Sequence, residues 1–346
     1  MKWLFTTGRC SINDRYSYNG MQIIYLENDF LKMGILAGRG ADIFELIYKP
    51  FGVNMLLKLE KDIHPPTKIS AQRKDSLNQF EEYYYGGWQT IFPNSVPMNY
   101  FGSHLGQHGE VWHIPWNYSI VKNEPEEVEV KLYTEPLRMP FRLEKTLILK
   151  AGKPTFSVKE KIINTGSRSL PVMWGQHVAF GLPWLEKGGI VHTHAKQVEV
   201  ETKMPFTRLL TSGHSTHWPK GVTSGGKEID LSLIPSVEEG HYSDLVYLSD
   251  FKDTGTYTIT DVEKRVAFTL EWDKNIFPYL WFWQERYATH SAPWWGKTYA
   301  IALEPWTCKW NPDPDQQIDE GLWLTIDGGQ SRETEMKVMI HSHADF

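Results

Sequence analysis

Residues 127–165 read EVEVKLYTEPLRMPFRLEKTLILKAGKPTFSVKEKIINT, and this stretch decides the fold class. Apolar and polar residues alternate over Glu127–Thr134, Arg142–Lys150 and Thr155–Thr165, and a period of two is typical of strands with one buried face. The turn-forming residues Ala151-Gly152-Lys153-Pro154 separate the second run from the third. Such spacing favours an antiparallel sandwich over units in which strands alternate with helices.

The same period of two returns over Thr256–Thr260 and Arg265–Trp272, whereas helix-period stretches are scarce. The region Asn54–Gln89 departs from it, because it is rich in charged and polar residues and contains Pro65-Pro66. We interpret this region as an irregular excursion with a short helix that crosses one face of the fold. The sequence shows no repeat or linker. It therefore predicts an all-β protein, a large antiparallel β-sandwich with few short helices, in a single domain over residues 1–346.

Composition excludes several classes of partner. The formal net charge is −6 and Lys and Arg form no block, so we expect no nucleic-acid partner. The run Ser169–Leu185, which contains no Asp, Glu, Lys or Arg, is broken by Gly, Pro, Gln and His, and the apolar run Trp3–Phe5 is too short for a signal peptide. We expect no membrane partner, a cytoplasmic location, and a neutral or weakly charged small ligand. Cys10 and Cys308 indicate neither a disulfide framework nor a cysteine zinc site, and leave one disulfide open.

Aromatic residues are abundant, with 15 Trp, 16 Tyr and 16 Phe. Three segments break the strand pattern with Gly, Pro, Trp and polar groups: Gly86–Trp116, Pro171–Gly181 and Leu280–Trp306. We interpret them as loops or strand ends that face a cleft. Their Trp side chains are either core or the wall of a sugar site, where an indole packs on the C–H face of the ring.

These segments contain three candidate chemical groups: His108, His177 and Glu304. An imidazole titrates near neutrality, and burial can raise the pKa of a carboxyl group toward the same range, so the set suits general acid and general base catalysis. Each has a structural alternative: His108 could cap a turn, and His177 could be a satisfied core residue. Glu304 follows an apolar stretch, and a buried charge requires a partner or a task.

The ordered motifs resemble those of the aldose 1-epimerase family, also called galactose mutarotases, and of their broader mutarotase-like relatives. The resemblance spans roughly residues 20–340. It rests on an early His-Gly pair (His108-Gly109), a central N-x-G and W-G-x-H element (Asn164, Gly166, Trp174, Gly175 and His177), a late A-L-E-P motif (Ala302–Pro305) and Arg142 in FRLEKTLIL.

The resemblance implies a β-supersandwich with the active site in a cleft on one broad face. It implies that Glu304 is the base that removes the C1 hydroxyl proton and that His177 is the acid that protonates the ring oxygen. His108 would hydrogen-bond the sugar near the reacting centre. It further implies an ionised Glu304, a protonated His177, and no cofactor or metal.

Two departures from the family bear on the substrate. The stretch Phe92–Val96 contains Asn94 but no arginine after it, and the usual sugar-binding aspartate is matched loosely by Asp244. We predict that polar and aromatic residues near the motifs complete the pocket: Gln89, Trp112, Arg142, Gln176, Gln284 and Glu285. The lack of an arginine cluster disfavours a phosphorylated sugar, although Arg142 and Lys297 could contribute.

Two other functions remain open from the sequence. His192 and His194, followed by Glu199, give an H-x-H-x4-E pattern that would suit a cupin-type metal enzyme if strands brought the three together. A non-catalytic sugar-binding or regulatory module would use the same fold, because a fold does not determine an activity. Convergence of His108, His177 and Glu304 on one cleft would favour catalysis.

Overall fold

The computed structural model describes residues 8–66, 77–205, 207–263 and 265–342. The two helices in these ranges are α1 Leu77–Tyr83 and α2 Pro314–Asp319. In chain order the strands are β1 Ser11–Tyr18, β2 Met21–Glu27, β3 Leu31–Leu36, β4 Asp42–Tyr48, β5 Val53–Asn54, β6 Trp88–Ile91, β7 Met98–Tyr100, β8 Ser103–Leu105, β9 Asn117–Glu124, β10 Glu127–Thr134, β11 Phe141–Lys150, β12 Thr155–Asn164, β13 Leu170–Val172, β14 Gly175–Phe180, β15 Gly189–Thr193, β16 Gln197–Val200, β17 Ser215–His217, β18 Lys220–Val222, β19 Glu228–Asp230, β20 Leu233–Ile234, β21 Ser243–Ser249, β22 Gly255–Asp261, β23 Val266–Trp272, β24 Tyr279–Arg286, β25 Tyr299–Trp306, β26 Leu324–Ile326 and β27 Ser331–Ser342.

Within the described ranges the strands form two large antiparallel sheets and three two-stranded ones. The first, here called the front sheet, has the order β1-β2-β3-β4-β6-β14-β25-β24-β21-β16-β17, with β5 paired to β4. The second, the back sheet, has the order β20-β15-β22-β23-β27-β12-β11-β10-β9. The pairs β7–β8, β13–β26 and β18–β19 complete the set. The prediction of an all-β antiparallel fold is confirmed.

The strands that the sequence predicted most clearly lie in the back sheet. β10, β11, β12, β22 and β23 match the predicted runs to within a residue or two at each end. Along β10 buried and half-buried side chains alternate at every position, and β11 does the same up to its exposed last residue. This alternation arises because one face of the back sheet packs on the front sheet and the other faces solvent. One hydrophobic cluster draws its members from both sheets.

Two segments that were interpreted as loops or strand ends are strands in the middle of the front sheet. Pro171–Gly181 and Leu280–Trp306, expected to be loops or strand ends, contain β14, β24 and β25. Every residue of β14 and of β25 is buried. Strands that are covered on both faces lose the alternation that reveals a strand. The region Asn54–Gln89 does contain the expected short helix, α1, and its residues 67–76 lie outside the described ranges.

A buried ion pair of the back sheet is connected to the front sheet by hydrogen bonds. Lys145 of β11 lies 3.4 Å from Glu160 of β12, and both side chains are almost fully buried. Glu160 also accepts hydrogen bonds from the Gln176 amide (2.6 Å) and the Thr90 hydroxyl of the front sheet, and from the indole of Trp174 (2.9 Å), which immediately precedes β14. Every oxygen of this carboxylate therefore has partners, which is the condition for burying a charge.

Two further expectations from the sequence concern the cysteines and membrane-spanning segments. Cys10 and Cys308 are both buried and both free. In the ranges the structure covers, no helix has the length and apolar character needed to cross a membrane.

We predict that Glu160→Gln destabilises the protein by about 3–5 kcal/mol, because it removes the carboxylate that is ion-paired with the buried Lys145 ammonium. Urea unfolding followed by tryptophan fluorescence measures the free energy of unfolding. Asp250→Asn is the control: it breaks the exposed Lys196–Asp250 pair and should cost at most about 1 kcal/mol. Equal small losses for the two variants would contradict a structural role for the buried pair.

Candidate active site

The centre of the front sheet places an imidazole beside a carboxyl group. β14 and β25 are antiparallel, with Gly175 opposite Trp306 and Ala179 opposite Ala302. His177, two residues after Gly175, therefore lies across from Glu304, two residues before Trp306. On its other side, Glu304 lies opposite Trp281 of β24. Residues opposed on antiparallel strands project from the same face of a sheet. The strand register therefore sets His177, Glu304 and Trp281 in one row.

The three chemical groups predicted from the sequence converge on this row. Nε2 of His177 lies 3.8 Å from Oε1 of Glu304. The other carboxyl oxygen, Oε2, accepts a 3.0 Å hydrogen bond from the indole N–H of Trp306. The ring centroid of His108 is 5.9 Å from that of His177 and 5.8 Å from that of Trp306. The arrangement offers two imidazoles and one carboxyl group to a single bound molecule.

His108 reaches the row from a tight turn after β8. Its φ of 62° lies in the left-handed region, and its N–H donates to the Ser95 carbonyl over 2.9 Å. Gly109 also has a positive φ, and a Cβ there would lie 2.1 Å from the carbonyl oxygen of Phe92. A glycine is required for this close approach. The His-Gly pair of the sequence thus combines a chemical group with the backbone that presents it.

A cavity of about 460 Å³ opens above the row. Its walls combine aromatic and apolar side chains with a small number of polar ones, as in small-molecule sites generally. No lysine or arginine is found among the described residues that line it. The lining consists of Phe80, Glu81, Tyr84, Gln107, His108, His177, Met204, Pro205, Thr207, Leu245, Trp281, Trp283, Thr289, His290, Ser291, Ala292, Trp294, Glu304 and Trp310.

The helix α1 forms one wall. The Phe80 ring lies 4.3 Å from the His108 ring, edge to face, and 5.2 Å from the Trp112 ring. Tyr84, one turn later, has its ring 5.0 Å from that of His177, and its buried hydroxyl has no partner among the described groups. This wall was not predicted from the sequence. The available signal was the spacing of four between two aromatic residues, which puts them on one side of a helix.

Burial shifts the pKa values of His177, Glu304 and His108. Desolvation lowers the pKa of His177 to about 4 and raises that of Glu304 to about 8. Desolvation, then the neighbouring His177, holds the pKa of His108 well below its usual range. The expectation of an ionised Glu304 and a protonated His177 is therefore reversed in the protein alone. Between these two pKa values His177 and Glu304 together hold one proton, and it resides on the carboxyl group.

Residues 18–340 match the family described as "Domain of unknown function (DUF4432)". The chain belongs to this family. No curated protein matches it in sequence. Family membership assigns no reaction, so the chemistry has to be argued from the residues in the cavity.

Solved structures share the fold of this DUF4432 member at low sequence identity. A proposed aldose 1-epimerase from Klebsiella pneumoniae subsp. pneumoniae superimposes with a TM-score of 0.71 at 14% identity, over 96% of this chain and 83% of that chain. A galactose mutarotase-like protein from Clostridium acetobutylicum gives 0.67 at 17% identity, over 96% and 99% of the two chains. A galactose mutarotase related enzyme from Lactobacillus acidophilus gives 0.60 at 15%, over 92% and 97%. These similarities establish a galactose mutarotase-like fold.

Two of the predicted substrate-binding residues hold the loops that line the cavity. Asp244 accepts the backbone N–H groups of Leu209 and Leu210 over 3.1 and 3.2 Å. Glu285 accepts the N–H of Ala288 over 2.8 Å and both the N–H and the hydroxyl of Thr289 over 3.1 and 2.6 Å. Neither residue is part of the cavity lining. Their contacts indicate support for its walls.

Asn94 and Trp112 support the turn of His108. The Asn94 amide donates to the carbonyl groups of Val96 (2.6 Å) and Gly106 (2.8 Å). The Trp112 indole donates to the Gly109 carbonyl over 2.9 Å. Neither side chain is part of the cavity lining described above.

The three predicted glutamines do not line the cavity. Gln176 and Gln284 each adjoin a cavity residue on the same strand, so strand alternation turns them to the opposite face. There Gln176 binds Glu160, and Gln284 accepts from the Tyr242 hydroxyl over 3.4 Å. Gln89 lies opposite His177 but donates to the Gly86 carbonyl.

The predicted cations also lie elsewhere. Arg142 belongs to β11 of the back sheet, where it binds Glu144 at 2.9 Å and Glu135 at 3.0 Å. The sequence did not show that its strand belongs to the other sheet. Lys297 is exposed and is not part of the cavity lining.

The residues of the cupin alternative do not meet. His192 is in β15 of the back sheet, whereas Glu199 is in β16 of the front sheet and binds Lys309 at 2.9 Å. Across the described ranges no group of three or more His, Cys, Asp or Glu side chains is arranged to hold a metal ion.

We predict that Phe80→Ala raises the pKa of His108 and His177 and lowers that of Glu304, because removing the ring admits water to groups whose pKa is shifted by burial. Histidine Cε1–H titration by NMR should show shifts of about one unit or more. Phe51→Ala, which removes an exposed ring that is not part of the cavity lining, is the control. Unchanged histidine pKa values in the Phe80 variant would mean that α1 does not cause the desolvation.

Proposed function

We propose that the protein interconverts the α and β anomers of a free aldose or a close sugar derivative. The observation that supports this most directly is the pairing of His177 with Glu304 on the floor of the cavity, with Nε2 and Oε1 3.8 Å apart and one proton between them at neutral pH. The reaction acts on two oxygens bonded to the same carbon. An acid and a base side by side suit that geometry.

The proton count of the pair matches the chemistry. Ring opening removes a proton from the C1 hydroxyl and adds one to the ring oxygen, breaking the bond between C1 and that oxygen. Rotation about C1–C2 and closure from the other side, with the proton transfers reversed, give the other anomer. The pair holds one proton before and after each step, and the reaction needs no nucleophile or hydride.

A bound sugar would set the roles. A C1 hydroxyl that donates to Glu304 favours the carboxylate, and a ring oxygen that accepts from His177 favours the imidazolium. Together these contacts move the proton from Glu304 to His177. Glu304 is then the base and His177 the acid, in line with the family resemblance, and His108 hydrogen-bonds the sugar beside them.

The walls of the cavity support an uncharged sugar as the substrate class. The indoles of Trp281, Trp283 and Trp294 offer flat apolar faces of the kind that pack on sugar C–H groups. The cavity lining described above contains no cation to bind a phosphate or carboxylate. An uncharged aldose fits both features. A binding module would share these walls but would not require a paired acid and base.

Glu304→Gln and His177→Asn should each slow anomer exchange by about 10²–10⁴-fold, the usual contribution of a general acid or base. NMR exchange spectroscopy across a panel of aldoses measures the rate, with uncatalysed mutarotation subtracted. His192→Asn, which removes an exposed imidazole from the back sheet, should leave the rate unchanged. If the best sugar exchanges equally fast in all three variants, the proposal is wrong; if it binds without any exchange in the wild type, the protein is a binding module.

The pH profile gives a second test. Because the active pair holds one proton, kcat/KM should be bell-shaped, falling below about pH 4 as His177 becomes protonated and above about pH 8 as Glu304 loses its proton. On the acid side of the profile the pair loses its proton acceptor, and on the alkaline side it loses its proton donor. The same exchange experiment, run across pH on the best sugar, gives the curve. A profile that is flat through pH 8–10 would contradict control by Glu304.

A further inference from the structure

We propose that Trp306 is a positioning residue for Glu304: its indole N–H holds one carboxyl oxygen so that the other faces His177. Trp306 does not line the cavity and acts through the carboxyl group it binds. The inference rests on the proposed function for its kinetic consequences. Its structural basis is independent of that function.

The hydrogen bond from Trp306 divides the carboxyl group. The indole N–H donates to Oε2 over 3.0 Å, while Oε1 is the oxygen that lies 3.8 Å from Nε2 of His177. Trp306 follows Glu304 by two residues on β25, so the two side chains project from the same face. A donor fixed on the same strand restricts rotation of the carboxyl group. Oε1 is thereby left to the substrate and to His177.

The indole is itself held on two sides. It stacks on Trp281, with centroids 4.2 Å apart and planes inclined by 13°. On the other strand lies Gly175, where a Cβ would come within 2.3 Å of the Trp306 ring. Only a residue without a side chain permits this contact. The glycine of the W-G-x-H motif therefore seats the indole that orients Glu304.

The electrostatics agree with this geometry. Burial raises the pKa of Glu304, and the Trp306 hydrogen bond is the interaction that lowers it. A donor to a carboxylate stabilises the ionised form. Without the indole N–H, Glu304 would hold its proton to a higher pH and would be a poorer base near neutrality.

Trp306→Phe tests the proposal, since phenylalanine keeps an aromatic ring beside Trp281 but has no N–H. The carboxyl ¹³C titration of Glu304, assigned with Glu304→Gln, should move upward by about one unit or more. The alkaline limb of kcat/KM should move with it, and kcat should fall about tenfold with little change in KM. Trp323→Phe removes the N–H of another buried indole, bound to Gln317 over 3.1 Å, and should change neither quantity.

A second variant guards against misfolding. Gly175→Ala forces Trp306 away from β14, and the folded protein should show the same upward shift of the Glu304 pKa. If the Glu304 titration and the alkaline limb are unchanged in folded Trp306→Phe, the positioning role is refuted. If the titration shifts but the wild type exchanges no sugar, positioning stands and the proposed function fails. If the wild type exchanges sugar and the Glu304 titration does not shift in folded Trp306→Phe, the proposed function stands and the positioning role fails.

Discussion

The pairing of β14 with β25 determines the site, because it sets His177 across from Glu304 at the centre of the front sheet. A slip of one residue would turn every side chain of β25 to the other face. Leu303 and Pro305 would then face the cavity, and Glu304 would enter the apolar layer between the sheets. The forces that keep apolar residues in the core therefore also keep His177 and Glu304 together. Placement of the pair is as well determined as the core itself.

The two faces of β14 give buried carboxyl groups different surroundings. Behind the strand, Glu160 receives hydrogen bonds from Trp174 and Gln176 and faces Lys145, so a buried carboxylate is stabilised by the protein. In front of it, Glu304 has one described donor, Trp306, and burial raises its pKa. A buried carboxylate with a full set of partners is stabilised by the fold, whereas a buried carboxyl group with few partners marks a place where a ligand completes the interactions.

The sequence predicted those features that local patterning encodes. Strands such as Glu127–Thr134 were visible because one face of the back sheet is solvated, and His108, His177 and Glu304 stood out beside Gly, Trp and Pro. The sequence did not reveal the strand register, and therefore did not reveal which face of the sheet each side chain occupies. Gln176 was therefore assigned to the cavity although it lies between the sheets. Trp306 was overlooked because its role depends on Gly175, 131 positions earlier in the chain.

A neutral resting pair has a consequence for selectivity. Separating charge between His177 and Glu304 is unfavourable in a desolvated cavity, and a ligand favours it by donating to the carboxyl group and accepting from the imidazole. A free C1 hydroxyl and the ring oxygen beside it present that donor and that acceptor on one carbon. A glycoside lacks the hydroxyl proton, so it would leave the pair neutral. Under the proposed function, the desolvation that shifts both pKa values makes the charged acid and base depend on the substrate. Interactions that are gained along the reaction are those that lower its barrier.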